Sequence, residues 1–125
     1  MPRVVHFEIP AEKPERSVKF YESVFGWKIS TWGGPMAYWL VSTGPKDEPG
    51  IDGAIMEKKN VKNVVNTIGV ASLDESIEKV LKSGGKQLME KGQIPGVGWF
   101  CYCQDPDGNM FGLLEPLPGS MPSGS

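Results

Sequence analysis

The chain has a single histidine, His6, and a carboxylate, Glu8, follows it two positions later. In extended backbone two such residues face the same way, about 7 Å apart. Imidazole changes charge near neutral pH and a carboxylate accepts protons and hydrogen bonds, so the pair suits orienting a ligand or moving a proton. Cys101 and Cys103 are also two apart in a strand-like stretch. They read as buried, reduced thiols ahead of any disulfide or metal role. Trp32 and Trp99 adjoin glycines, in Trp32-Gly33-Gly34-Pro35 and Gly96-Val97-Gly98-Trp99, where a loop can bring backbone close to a ligand. Trp27 and Trp39 read as core. Gly96 and Gly98 form no phosphate loop, because no strand-to-helix junction and no following lysine and hydroxyl accompany them. A serine nucleophile elbow is absent from the sequence.

The elements that would hold these side chains come in two matching sets. Val4 to Ile9 is a short apolar run ending at Pro10-Ala11, and Glu15 to Phe25 carries helical spacing closed by Gly26. A shift of 59 positions repeats the plan: Val64 to Ile68, then Asp74 to Ser83, closed by Gly84-Gly85. Ser17 falls on Ser76, Val18 on Ile77 and Gly26 on Gly85. Strand-like runs follow each helix. They are Trp27 to Trp32, Ala37 to Val41 and Ala54 to Glu57 in the first half, and Lys86 to Met89, Trp99 to Cys103 and Met110 to Glu115 in the second. Asp52-Gly53 and Asp105-Pro106-Asp107-Gly108 supply turn chemistry before the last strand of each half. Gly44 to Gly50 reads as a loop and residues 116–125 as a flexible tail. The helical stripes predict that Phe20, Val24, Ile77, Val80 and Leu81 are buried.

Composition narrows the function. At 125 residues the chain is the size of one domain, expected over residues 1–115, with modules of about 4–57 and 63–115. Hydrophobic residues at 39% and charged residues at 22% favour a folded core over disorder. A net charge of -2 without a basic block argues against a nucleic-acid partner. No apolar run approaches the roughly 20 residues that span a bilayer, and Met1 to Pro10 lacks the layout of a signal peptide, so a cytoplasmic, membrane-free protein is expected.

Three stretches carry a family resemblance. His6-Phe7-Glu8, the run from Glu15-Arg16-Ser17 through Phe20-Tyr21 to Phe25-Gly26-Trp27, and the ending Asp105-Pro106-Asp107-Gly108-Asn109-Met110-Phe111-Gly112-Leu113-Leu114-Glu115 resemble the glyoxalase, bleomycin-resistance and extradiol dioxygenase group of the vicinal oxygen chelate superfamily. The resemblance implies an α+β fold: two βαβββ modules form a curved mixed sheet with a central cleft, helices on the convex side. It also implies a divalent metal held from the first and fourth strand of each module. Those places match His6, Val65 (or Thr67, with a shorter turn), the neighbourhood of Ala54, and Gly112. Only His6 is a good ligand, and a catalytic divalent site normally takes three.

If His6 faces the cleft, alternation places Glu8, Val65, Thr67, Ala54, Met56, Met110, Gly112 and Leu114 there too. The leading expectation is therefore a small organic molecule in an apolar cleft without metal. His6 and Glu8 are its catalytic or polar groups, and Met56, Thr67, Trp99, Met110 and Leu114 its ligand contacts. One alternative is a metal-dependent lyase or dioxygenase using His6 with Glu57 and Glu115 after a register shift. The other is a non-catalytic interaction domain. Members of the group often pair modules across a homodimer, which the resemblance extends to this chain.

Overall fold

The computed structural model describes residues 1–33, 37–59 and 61–118. The elements run β1 (Arg3–Ala11), α1 (Pro14–Phe25), β2 (Lys28–Thr31), β3 (Tyr38–Ser42), β4 (Gly53–Glu57), β5 (Val65–Gly69), α2 (Leu73–Lys82), β6 (Lys86–Gln87), β7 (Gly92–Ile94), β8 (Gly98–Gln104) and β9 (Met110–Pro116). This is the α+β order of two βαβββ modules, each with a mixed sheet. The strand expected from Lys86 to Met89 shortens to β6, and β7 beyond it is an added short strand that was not expected; both pair antiparallel with β8. Pro116, assigned to the tail, closes β9, while residues 119–125 lie outside the described residues.

Two compact units divide the described residues, residues 6–65 in one and residues 1–5 with 66–118 in the other. The first has the strand order β2-β3-β4-β1. Here β1 runs parallel to β4, with Glu8 opposite Ala54, while β3 runs antiparallel to β4, with Leu40 opposite Ala54 and Tyr38 opposite Met56. Phe7, Ile9 and Ala11 alternate onto one face and pack with Trp27, Ile29, Trp39, Val41 and Ile55 beneath Val18 and Tyr21 of α1. Proline at the start of α1 has its φ preset for a helix. Gly26 ends the helix at φ 70, a left-handed angle that a side chain would penalise, and its N–H reaches Glu22 O at 3.0 Å.

The stripe of α1 that packs is Val18 and Tyr21, with Tyr21 stacked 4.8 Å from Trp27 at an interplanar angle of 5°. Phe20 and Val24, expected inside, are 55% and 54% exposed. At about 100° per residue these two lie on the side of the helix away from Val18. With apolar residues on both sides, the tie is broken by Trp27, which the sequence places after the helix.

In the second unit the order is the start of β1, then β5, β9, β8 and β6, with β7 also on β8. β5 is parallel to β9, with Thr67 opposite Gly112. Cys101, Cys103, Leu113, Val70, Leu73 and Ile77 form its core, against which Ile68, Val80 and Phe111 pack. Both cysteines are free and buried, and burial with the neighbouring Cys101 thiol pushes Cys103 up to about 12. Ile77 and Val80 pack as predicted, but Leu81, at the edge of the stripe, is 52% exposed. α2 is firmly started: Ser72 Oγ accepts from Glu75 N at 3.2 Å and Glu115 Oε1 accepts from Leu73 N at 2.8 Å.

Placing Ala54 of β4 over Gly112 of β9 aligns Glu8 with Thr67, His6 with Val65 and Tyr38 with Phe100, because each pair occupies the same register position in its own sheet. The shift of 59 read from the sequence thus holds for the first strand of each module. At the helix ends the match slips by one, since the left-handed glycine of the second module is Gly84, at φ 91, rather than Gly85.

Candidate functional site

β1 in the first unit sends Phe7 and Ile9 to the helix and so turns His6 and Glu8 to the other face. β3 does the same with Trp39 and Val41, leaving Tyr38, Leu40 and Ser42 on the face of His6. The consequence is a short hydrogen-bonded chain across three strands. The Tyr38 hydroxyl donates to Glu8 Oε2 at 3.0 Å, and its oxygen lies 3.3 Å from His6 Nε2. With the phenolic proton given to Glu8, the tyrosine oxygen is the acceptor and His6 Nε2 the donor.

The electrostatics agree with that assignment. Burial lowers the proton affinity of His6, partly offset by the charge of Asp52, which favours neutral imidazole. Burial, and then the charge and hydrogen bond of Glu8, hold Tyr38 as a phenol well above its usual range. Glu8 is 6% exposed, and a buried carboxylate needs such a donor. Trp32 meets the Tyr38 ring edge-on with centroids 5.8 Å apart, which puts one of the two glycine-flanked tryptophans beside the site. Gly34 and Pro35 of its loop lie outside the described residues.

His6 also lines a cleft of about 350 Å³ in this unit, together with Lys28, Ser30, Leu40, Ser42 and Asp52. β2 and β3 hold it open: Lys28 stands opposite Ser42 and Ser30 opposite Leu40. Asp52 precedes β4 and is fixed by Thr43, whose N–H donates at 2.9 Å and whose hydroxyl lies at 3.3 Å. Leu40 is 41% exposed.

The remaining expected residues fall in different places. Met56 is buried on the face of Tyr38 and Glu8. In the second unit Thr67, Gly112, Leu114 and Met110 share the face away from α2. There the Thr67 hydroxyl is buried and has no hydrogen-bond partner among the described residues. Trp99 does not join them. It pairs with Glu115 on β9 and alternates with Cys101 onto the helix side, where Lys91 sits 5.3 Å over its ring and reaches Asp74 of α2 at 2.9 Å. Glu115, proposed as a metal ligand after a register shift, is on that side too and is engaged by the start of α2. Glu57 is 45% exposed at its side chain, with Lys59 at 4.0 Å.

The donor set therefore does not fit the metal that the resemblance implies. Of the corresponding places, Val65, Ala54 and Gly112 offer no side-chain donor, and no group of three or more His, Cys, Asp or Glu side chains among the described residues is placed to hold an ion. Tyr38, Lys28, Ser30, Ser42 and Asp52 escaped the sequence reading. Tyr38 had a usable signal, since it shares strand parity with Leu40 across from Trp39, but only the register with β4 and β1 brings it to His6.

Known proteins match this chain in sequence and in fold. A model of the amino-terminal part of bleomycin-resistance-like proteins matches residues 3–44. A glyoxylase-like domain-containing protein from Didymella fabae is 35% identical over 111 residues, covering 82% of this chain and 84% of that protein. Among solved structures, a methylmalonyl-CoA epimerase in complex with methylmalonyl-CoA and NH4+ has a TM-score of 0.73 at 16% identity, covering 98% of this chain and 99% of its own. A superfamily member from Vibrio splendidus 12B01 has a TM-score of 0.68 at 16% identity, covering 94% and 100%. Likeness at such identity speaks for the fold.

Proposed function

The chain belongs to the glyoxalase, bleomycin-resistance and dioxygenase superfamily, and on that premise we propose that it binds a small organic molecule in the cleft of its first module without a divalent metal. The observation that carries the reading is the His6, Tyr38 and Glu8 chain at the edge of that cleft. A concave site with an apolar floor and a few fixed polar groups is the usual form of a small-molecule pocket. Leu40 supplies floor, and His6 supplies an imidazole whose tautomer and orientation are set by Tyr38. Glu8, 6% exposed, accepts from the Tyr38 hydroxyl and bears on a ligand through that hydroxyl and the imidazole. The solved epimerase neighbour, named as a complex with methylmalonyl-CoA, supports small-molecule binding on this fold.

Backbone-amide NMR with a fragment library tests the reading. Binding should move the amide signals of Ser30, Leu40 and Ser42, and of His6. A library that moves none of them rejects the cleft. The metal half has its own test: a chelator should leave the thermal midpoint unchanged. A divalent ion that stabilises the fold by more than about 2 kcal/mol at roughly a hundredfold excess over its dissociation constant overturns it.

A further inference from the structure

The hydrogen-bonding groups of the cleft are unevenly committed. One oxygen of its carboxylate, Asp52 Oδ1, already takes the Thr43 N–H at 2.9 Å and lies 3.3 Å from the Thr43 hydroxyl. Its donors are open. Lys28 is in none of the ion pairs found among the described residues, and no hydrogen bond engages its ammonium or the hydroxyls of Ser30 and Ser42 there. The three are neighbours by construction. Lys28 and Ser30 are two apart on β2 and so face the same way, and Ser42 stands directly opposite Lys28 on β3. Cross-strand partners lie about 5 Å apart and residues two along a strand about 7 Å apart, a triangle that one oxyanion can bridge.

We infer that the cleft takes a small organic oxyanion, with its carboxylate or equivalent group held by Lys28, Ser30 and Ser42 and its apolar body laid over Leu40. This rests on the proposed role of the cleft and adds the chemical class of its ligand. The physical reason is one of complementarity. A ligand rich in acceptors satisfies donors that the fold leaves open, whereas a cation must settle beside the Lys28 ammonium to reach the carboxylate of Asp52. The volume of about 350 Å³ suits a molecule of one ring and a short acid arm.

Three isosteric probes decide it: phenylacetate, phenylacetamide and phenethylamine, followed by amide NMR on the full chain. Phenylacetate should bind about tenfold tighter than the amide at low salt, move the signals of Lys28, Ser30 and Ser42, and lose most of that margin in roughly 0.5 M salt. Lys28→Gln should bring the acid and the amide to equal affinity while leaving the thermal midpoint in place, since Lys28 is exposed. The inference is overturned if the amide or the amine binds the cleft as tightly as the acid, or if Lys28→Gln keeps the margin. Should none of the three probes move a cleft signal while fragments without an anionic group do, the oxyanion inference alone falls. If no compound of any charge moves one, the proposed cleft function falls with it.

Discussion

In the first module the strand position opposite Ala54 carries Glu8, and its companions on that face are His6 and Tyr38. In the second the corresponding position, opposite Gly112, carries Thr67, with Val65 and Phe100 for companions. The pairing scheme is repeated while the chemistry is not. The helices differ in the reverse sense. α2 has the caps supplied by Ser72 and Glu115 and buries Leu73 and Ile77, whereas α1 has no side-chain cap and no fully buried residue. Chemistry is thus concentrated where the helix is loosely held, and packing where the sheet face is apolar. A register duplicated by sequence repetition supplies positions, and what is hung on each position is settled separately in each copy.

The strongest way to test that division is through the two cores. Leu113 at 3% exposure and Ile55 at 0% hold equivalent places beside Gly112 and Ala54. Replacing either by alanine should cost about 2 to 5 kcal/mol in denaturant unfolding. A cost under about 1 kcal/mol at one of them would show that its module packs without it. Next in size is Tyr38→Phe, which keeps the ring but removes the donor to the Glu8 carboxylate. A hydrogen bond to a buried charge is worth about 1.5 to 3 kcal/mol, and the loss should come with a changed 15N tautomer signature of His6, the one imidazole in the chain. An unaltered tautomer would dissolve the chain of three.

Thr67→Val sharpens the contrast from the other side. It removes a buried hydroxyl that has no partner among the described residues, so stability should rise by about 1 kcal/mol. A fall in the thermal midpoint would mean that the hydroxyl is satisfied after all. The smallest effect belongs to Phe20→Ala, on the exposed side of α1. Its cost should stay within about 0.5 kcal/mol, and a loss of several kcal/mol would place the outer face of α1 in a contact.

Much of this could be read from the residues because strands and helix ends are local. Gly26 announced the end of α1, the run from Met110 to Glu115 announced β9, and alternation put His6 beside Glu8. The parts that could not be read depend on distant partners. Tyr38 joins His6 only through the register of β3 on β4 and of β4 on β1. The choice between the Val18 and Phe20 sides of α1 needed the stacking of Trp27 on Tyr21. Trp99 was singled out by its glycines, whereas its alternation with Cys101 turns it to the α2 side of β8. The break between β6 and β7 has no signal in its residues that we can identify.

One strand serves both compact units. Arg3 to Val5 at the start of β1 belong with residues 66–118, where Gly69 lies against Val5, while the rest of β1 belongs with residues 6–65. During synthesis this separates the order of making from the order of finishing. Arg3 to Val5 leave the ribosome ahead of β5 and pair with it only once it has emerged, more than sixty residues later. The first module can close around α1 while the start of β1 is still without its β5 neighbour, which only the second half of the chain supplies. A pause in translation once the first module has emerged would prolong the exposure of that short, valine-bearing edge.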